Sequence, residues 1–85
     1  MYQVTKRDGV AAAFEIGKIS AAITKAFEAL SKQYHPSIID MLALRVTADF
    51  EPKIQDGRIA VEDIQDSVEK VLSEAGYADV AKAYI

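Results

Sequence analysis

The chain has 85 residues, and thirteen acidic against ten basic side chains give it a formal net charge of −3. This length predicts a single domain over residues 1–85, and the acidic balance argues against broad binding to nucleic acid. The absence of cysteine excludes disulfides, thiolate catalysis and cysteine zinc sites. Without a membrane-length apolar run or a signal-peptide pattern, a cytoplasmic protein with no membrane partner is expected.

The first predicted element is a β-hairpin. Extended runs over residues 2–7 and 10–14 flank Asp8 and Gly9, a pair typical of a two-residue type I′ turn because Gly adopts positive φ without strain. The second strand is weak, since the run Ala11–Ala13 has low strand propensity. Its small side chains either leave room for a ligand against the backbone or form a plain edge strand.

Cations surround this hairpin. Lys6 and Arg7 are neighbours on the first strand, so a regular strand directs them to opposite faces. Lys18 lies in the first turn of a predicted helix over residues 17–33, where the free N–H groups and the helix dipole favour anions. Three cations that converge beside Val4 predict a cradle for a polyphosphate with an apolar base next to it.

The helical pattern continues through the middle of the chain. Pro36 interrupts the first helix, and Ser37 followed by Asp40 resembles the capping box of a second helix that runs to Phe50. Apolar residues at helical spacing predict the buried faces of these two helices. They are Ile19, Ala22, Ile23, Ala26, Phe27 and Leu30 in the first, and Ile39, Leu42, Ala43, Val46 and Phe50 in the second, widened by Ile38 and Met41.

The last third predicts one strand and two helices. A short strand over 58–60 can pair with the hairpin, and a third helix begins at Val61, with a buried face completed by Ile64, Val68, Leu72 and Ala75, and ends at Gly76. A fourth helix over 77–85 lacks a stop signal. We therefore interpret the chain as the N-terminal portion of a longer protein, with a naturally short terminal helix as the alternative.

One pattern extends over nearly the whole chain. V-x-K-R-D-G is followed five residues later by Phe, then by K-I, and distally by I-x-V-E-D-I-Q-D and G-Y-x-D-V-A-K-A-Y-I. This combination resembles the ATP-cone, a regulatory nucleotide-binding domain of ribonucleotide reductases. The resemblance implies a mainly α fold with a small β cap (α+β): a four-helix bundle covered by a small three-stranded sheet that contains the N-terminal hairpin.

The resemblance also implies a ligand site. ATP and dATP would compete for one pocket as allosteric effectors, with Mg²⁺ held by phosphate oxygens and water. By position, Val4 would lie near the base, Lys6, Arg7 and Lys18 at the phosphates, and Ile19 in the adenine pocket.

Three positions depart from the pattern of the family. Relatives often carry Ser or Thr near Ala60 or Val61, where a hydroxyl could meet the nucleotide, and Val61 is predicted to line the site without that contact. Gly17 and Ala12 replace acidic residues that some relatives have. These departures predict either an altered nucleotide preference or a degenerate cone that binds no nucleotide.

The sequence contains no recognisable catalytic motif. The chain has one histidine, no metal-ligand spacing and no phosphate-loop motif, so we predict no enzyme activity and no metal site for this segment alone. The resemblance implies the regulatory part of a ribonucleotide reductase, most like the anaerobic ribonucleoside-triphosphate enzyme, which makes deoxyribonucleotides for DNA replication. Its partners would be adenine nucleotides, the remainder of the reductase chain and a second cone in a homo-oligomer. A helical protein-interaction module without nucleotide binding is the alternative, and a DNA-binding regulator is disfavoured by the acidic second half.

Overall fold

Over residues 2–84, which the computed structural model describes, four α-helices pack around one apolar core and a three-stranded sheet lies against them. This arrangement confirms the predicted α+β class. The elements in chain order are β1 (Gln3–Thr5), β2 (Ala11–Ala13), α1 (Ile16–Ala29), α2 (Pro36–Phe50), a 3₁₀ turn (Glu51–Lys53), β3 (Arg58–Ala60), α3 (Val61–Glu74) and α4 (Ala78–Tyr84).

The first strand is the centre of the sheet, whose order is β2-β1-β3. β1 pairs with β2 in antiparallel fashion, with Val4 opposite Ala12. It pairs with β3 in parallel, with Val4 opposite Ile59, and the Ile59 side chain is buried in the core. The sheet thus joins the start of the chain to the segment that immediately precedes α3.

The hairpin turn differs from the prediction. The Gly9 N–H donates to the Lys6 carbonyl at 2.9 Å, so the four-residue turn has Arg7 and Asp8 at its centre. Only Gly9 of the predicted central pair has positive φ, +86°, whereas a type I′ turn needs positive φ at both positions. The Asp8 carboxylate accepts a hydrogen bond from the Val10 N–H at 2.9 Å, a local bond that favours the observed turn.

The ends of the first two helices also differ from their predictions. α1 stops at Ala29, four residues early, and Ser31 has a φ of +52° that ends the helical path. α2 begins at Pro36, and its cap is the His35 imidazole, whose Nδ1 accepts from the Ser37 N–H at 3.1 Å. The predicted Ser37–Asp40 capping box is therefore wrong. Proline occupies the first helical position, so the cap is the residue before the proline.

The core follows the predicted helical faces with a few errors. The five residues predicted for the main buried face of α2, from Ile39 to Phe50, are all buried. Gly76 ends α3, as predicted, with a φ of +91°. Leu30 and Met41 are wrong predictions, since each is 42% exposed. The predicted fourth helix is present as Ala78–Tyr84, and its last position, 85, lies outside the described residues. No helix within residues 2–84 combines the length and apolarity that a membrane crossing requires.

Two leucines on α2 test this core directly. Leu42 is 0% exposed and Leu44 is 63% exposed, although they lie two residues apart on one helix. Leu42→Ala should lower the free energy of unfolding by about 2–5 kcal/mol, because it removes buried methyl groups and leaves a cavity. Leu44→Ala should change it by less than about 0.5 kcal/mol. Urea unfolding of both variants measures the difference, and equal losses would contradict this placement of α2.

Candidate functional site

A cleft of about 220 Å³ opens between the hairpin and helices α1, α3 and α4. It collects residues from both ends of the chain. Its lining consists of Val4, Lys6, Ala12, Ala13, Phe14, Glu15, Lys18, Ile19, Ala22, Val61, Ile64 and Tyr84. Five of the six predicted site residues are therefore brought together, and the sixth, Arg7, lies outside the lining.

The larger part of the lining is apolar. Val4 comes from the central strand, and the small Ala12 stands opposite it in register, which leaves open space above the sheet. Ile19 and Val61 face this space from α1 and from the first residue of α3. Binding clefts for whole small molecules typically measure roughly 300–1,000 Å³, so this one suits a flat ring with a further group projecting from its mouth.

The charged part of the cleft combines a residue beside the hairpin turn with one from the first turn of α1. Lys6 and Lys18 both line the cleft there. Glu15, the residue before α1, makes no side-chain capping bond to the helix, and the first turn of α1 carries no acidic residue. The free N–H groups of this helix end therefore add to the attraction that two lysines exert on an anion.

Lys18 already has a partner. Its Nζ lies 3.3 Å from Glu15 Oε2, and the two side chains are 68% and 63% exposed. Exposed ion pairs of this kind contribute little stability, so a multiply charged anion can displace Glu15 at small cost.

Arg7 extends in another direction. Its Nε lies 3.3 Å from Glu62 Oε2, and its Nη2 donates to Gln65 Oε1 at 2.8 Å. These contacts tie the hairpin turn to the first two turns of α3. The predicted contact of Arg7 with phosphate stays a prediction.

Several lining residues were not predicted as site residues. Ala22 and Ile64 each lie three positions after a predicted site residue on the same helix, and that spacing is a signal that could have found them. Tyr84 reaches the cleft only because α4 packs on α1 and α3. Burial raises the pKa of the Tyr84 hydroxyl above its ordinary value of 10.0, and the nearby Glu69 carboxylate raises it further. The hydroxyl is therefore neutral at physiological pH and can both donate and accept a hydrogen bond.

The arrangement is suited to binding. The titratable groups of the lining are two lysines, Glu15 and Tyr84, and no cluster of metal-ligating side chains occurs within residues 2–84. An apolar cleft with a cationic mouth matches a ligand with a flat apolar part and an anionic tail.

One family model and several known proteins are similar to nearly the whole chain. The sequence model of the ATP cone domain family matches residues 2–85. The ribonucleoside-diphosphate reductase subunit alpha of Chlamydia pneumoniae is 43% identical over 88 residues, which cover 96% of this chain and 8% of that protein. The vitamin B12-dependent ribonucleoside-diphosphate reductase of Mycobacterium tuberculosis is 40% identical over 83 residues, which cover 98% of this chain and 11% of that protein. The enzyme of the same name from Thermoplasma acidophilum is 40% identical over 88 residues. The chain thus spans about a tenth of the length of the curated relatives it matches.

The cationic mouth can be tested with a simple anion. Lys6→Ala and Lys18→Ala should each weaken binding of inorganic tripolyphosphate about tenfold, because each removes a charge-assisted contact. Lys25→Ala is the matched control, since Lys25 is an exposed lysine of α1 that does not line the cleft. Isothermal titration at low salt measures all three. A loss for Lys25→Ala as large as for Lys18→Ala would mean that the anion responds to net charge and not to this site.

Proposed function

The chain belongs to the ATP-cone family, and we propose that its cleft binds ATP and dATP as alternative allosteric effectors. The observation that carries this proposal is the convergence of Val4, Lys6, Lys18, Ile19 and Val61 on one cleft. The family pattern assigns these residues to a nucleotide site, and the fold independently brings them together from three separate segments.

The cleft gives the nucleotide one orientation. The adenine lies in the apolar part, between Val4 and Ile19, where burial of a flat ring is favourable. The phosphates lie at the mouth, where Lys6, Lys18 and the free N–H groups at the start of α1 meet them. Mg²⁺ accompanies the triphosphate and is held by phosphate oxygens and water.

Discrimination between ATP and dATP must depend on the ribose 2′-OH, which is their only chemical difference. Val61 occupies the position near which relatives often carry a hydroxyl, so that contact is not available here. Besides the two lysines, Glu15 and Tyr84 supply the polar side chains of the lining. Either one would respond to the 2′-OH by gaining or losing a hydrogen bond, and a nucleotide can shift the packing of the domain only through such a difference in affinity.

We assign the domain to a ribonucleotide reductase, on the similarity to the reductases named above. In this proposal the domain regulates the activity of a cytoplasmic enzyme, and the bound nucleotide changes how the cone packs against the rest of the reductase or against a second cone. The narrower prediction of an anaerobic triphosphate reductase has no support from those relatives, which are named as diphosphate reductases. A glycyl-radical motif near the C-terminus of the full-length protein would establish the anaerobic type.

Thermal unfolding with and without nucleotide tests the effector site. At about a hundred times the dissociation constant, ATP or dATP with Mg²⁺ should add about 2.7 kcal/mol of stability, which corresponds to about 10–20 °C in the unfolding midpoint. GTP should give a smaller shift, and the Lys6→Ala, Lys18→Ala double variant should give almost none.

The same experiment separates the alternatives. A wild-type midpoint that no nucleotide raises would favour a degenerate cone or a helical interaction module. Shifts of equal size with ATP, GTP and tripolyphosphate would mean that the cleft binds phosphate without reading the base. Lys25→Ala serves again as the control, with shifts equal to those of the wild type.

A further inference from the structure

We propose that Glu62 is a positioning residue that holds Arg7 on α3 and thereby sets the affinity of the domain for nucleoside triphosphates. We call the contact of Arg7 with Glu62 and Gln65 the arginine clasp. This inference rests on the proposed function, because it concerns the phosphate end of the same site.

The arginine clasp is formed by residues that directly follow cleft-lining residues in the chain. Glu62 and Gln65 each follow, by one position on α3, a residue that lines the cleft, namely Val61 and Ile64. Arg7 itself follows Lys6, which lines the mouth. The backbone of Arg7 is therefore next in the chain to the mouth, while its guanidinium is held on α3 by the protein's own carboxylate and amide, at 3.3 Å and 2.8 Å.

A triphosphate and Glu62 compete for the same chemistry. The guanidinium fork donates to a carboxylate or to phosphate oxygens with the same geometry. The Arg7 and Glu62 side chains are 72% and 53% exposed, so their pair is weak enough to exchange. A polyphosphate carries more charge than one carboxylate and can draw Arg7 from α3 to the mouth of the cleft.

The Arg7–Glu62 pair differs in reach from the ion pair between Lys18 and Glu15. That pair joins residues three positions apart, so its opening separates no elements. The Arg7–Glu62 pair joins the hairpin turn to α3, across 55 positions of the sequence. When a triphosphate takes Arg7, the turn is released from α3. A nucleotide whose phosphate chain is too short to reach Arg7 leaves the arginine clasp closed.

Titration of ATP and AMP into matched variants tests this proposal. Glu62→Gln should raise ATP affinity about two- to fivefold, which corresponds to the loss of one exposed ion pair, and should leave AMP affinity unchanged. Arg7→Ala should weaken ATP binding. In the Arg7→Ala background the gain from Glu62→Gln should vanish, because no arginine remains to be freed.

Asp66→Asn is the charge control. Asp66 is exposed, lies one turn beyond Glu62 on the same face of α3, and is not among the ion-paired residues found within residues 2–84. Its neutralisation removes the same charge without touching Arg7, and it should leave ATP affinity within about twofold of the wild type. Thermal unfolding without nucleotide verifies that each variant is folded.

Three results would overturn the proposal. A weaker affinity for ATP in Glu62→Gln would mean that Glu62 prepares Arg7 for the phosphate and does not withhold it. An equal gain in ATP affinity from Glu62→Gln with and without Arg7 would mean that Glu62 acts only by repelling the phosphate charge. If the wild type binds ATP and Glu62→Gln binds it with the same affinity, the arginine clasp alone is refuted. If neither protein binds ATP, the proposed function is refuted as well.

Discussion

The parallel pairing of β1 with β3 is the constraint on which the site depends. It aligns Val4 with Ile59, whose buried side chain fixes the sheet to the helical core. Because Val61 directly follows β3, the same pairing brings the start of α3 to the hairpin. Without it, the two sides of the cleft would be more than fifty residues apart in the chain and would meet only at the entropic cost of closing that loop.

The helices could be predicted because periodicity reports burial directly. The five predicted core positions of α2 are all buried, and Gly76 ends α3 as expected. The errors are at the margins of the buried faces and at the helix ends, where periodicity gives little information about burial. Met41 lies at the margin of the α2 face, and Leu30 lies beyond the true end of α1, so neither is covered. Turn and cap geometry depended on competing local hydrogen bonds, which the sequence pattern alone did not rank.

The site was predictable only in part, and for a different reason. The hairpin and helix patterns predict Lys6 and Lys18 beside Val4, whereas the roles of Ile19 and Val61 come from the resemblance to a family. The convergence of these residues required the strand order that periodicity left open. Two features depended on long-range packing that no local pattern contains. One is Tyr84, which the docking of α4 brings to the cleft, and the other is the arginine clasp, which joins positions 55 apart.

The ion pairs explain how an acidic chain can keep a cationic mouth. Glu15 pairs with Lys18 at the mouth and Glu62 pairs with Arg7 outside it, so two of the three cations predicted to meet phosphate have carboxylate partners in the protein without ligand. A ligand that takes Lys18 replaces Glu15, and its net gain there is the difference between phosphate and carboxylate contacts. That difference is smaller than the gain at unpaired cations, so it favours reversible occupancy over tight capture. Reversible occupancy is what a site needs if its state is to follow the ratio of two nucleotides in solution.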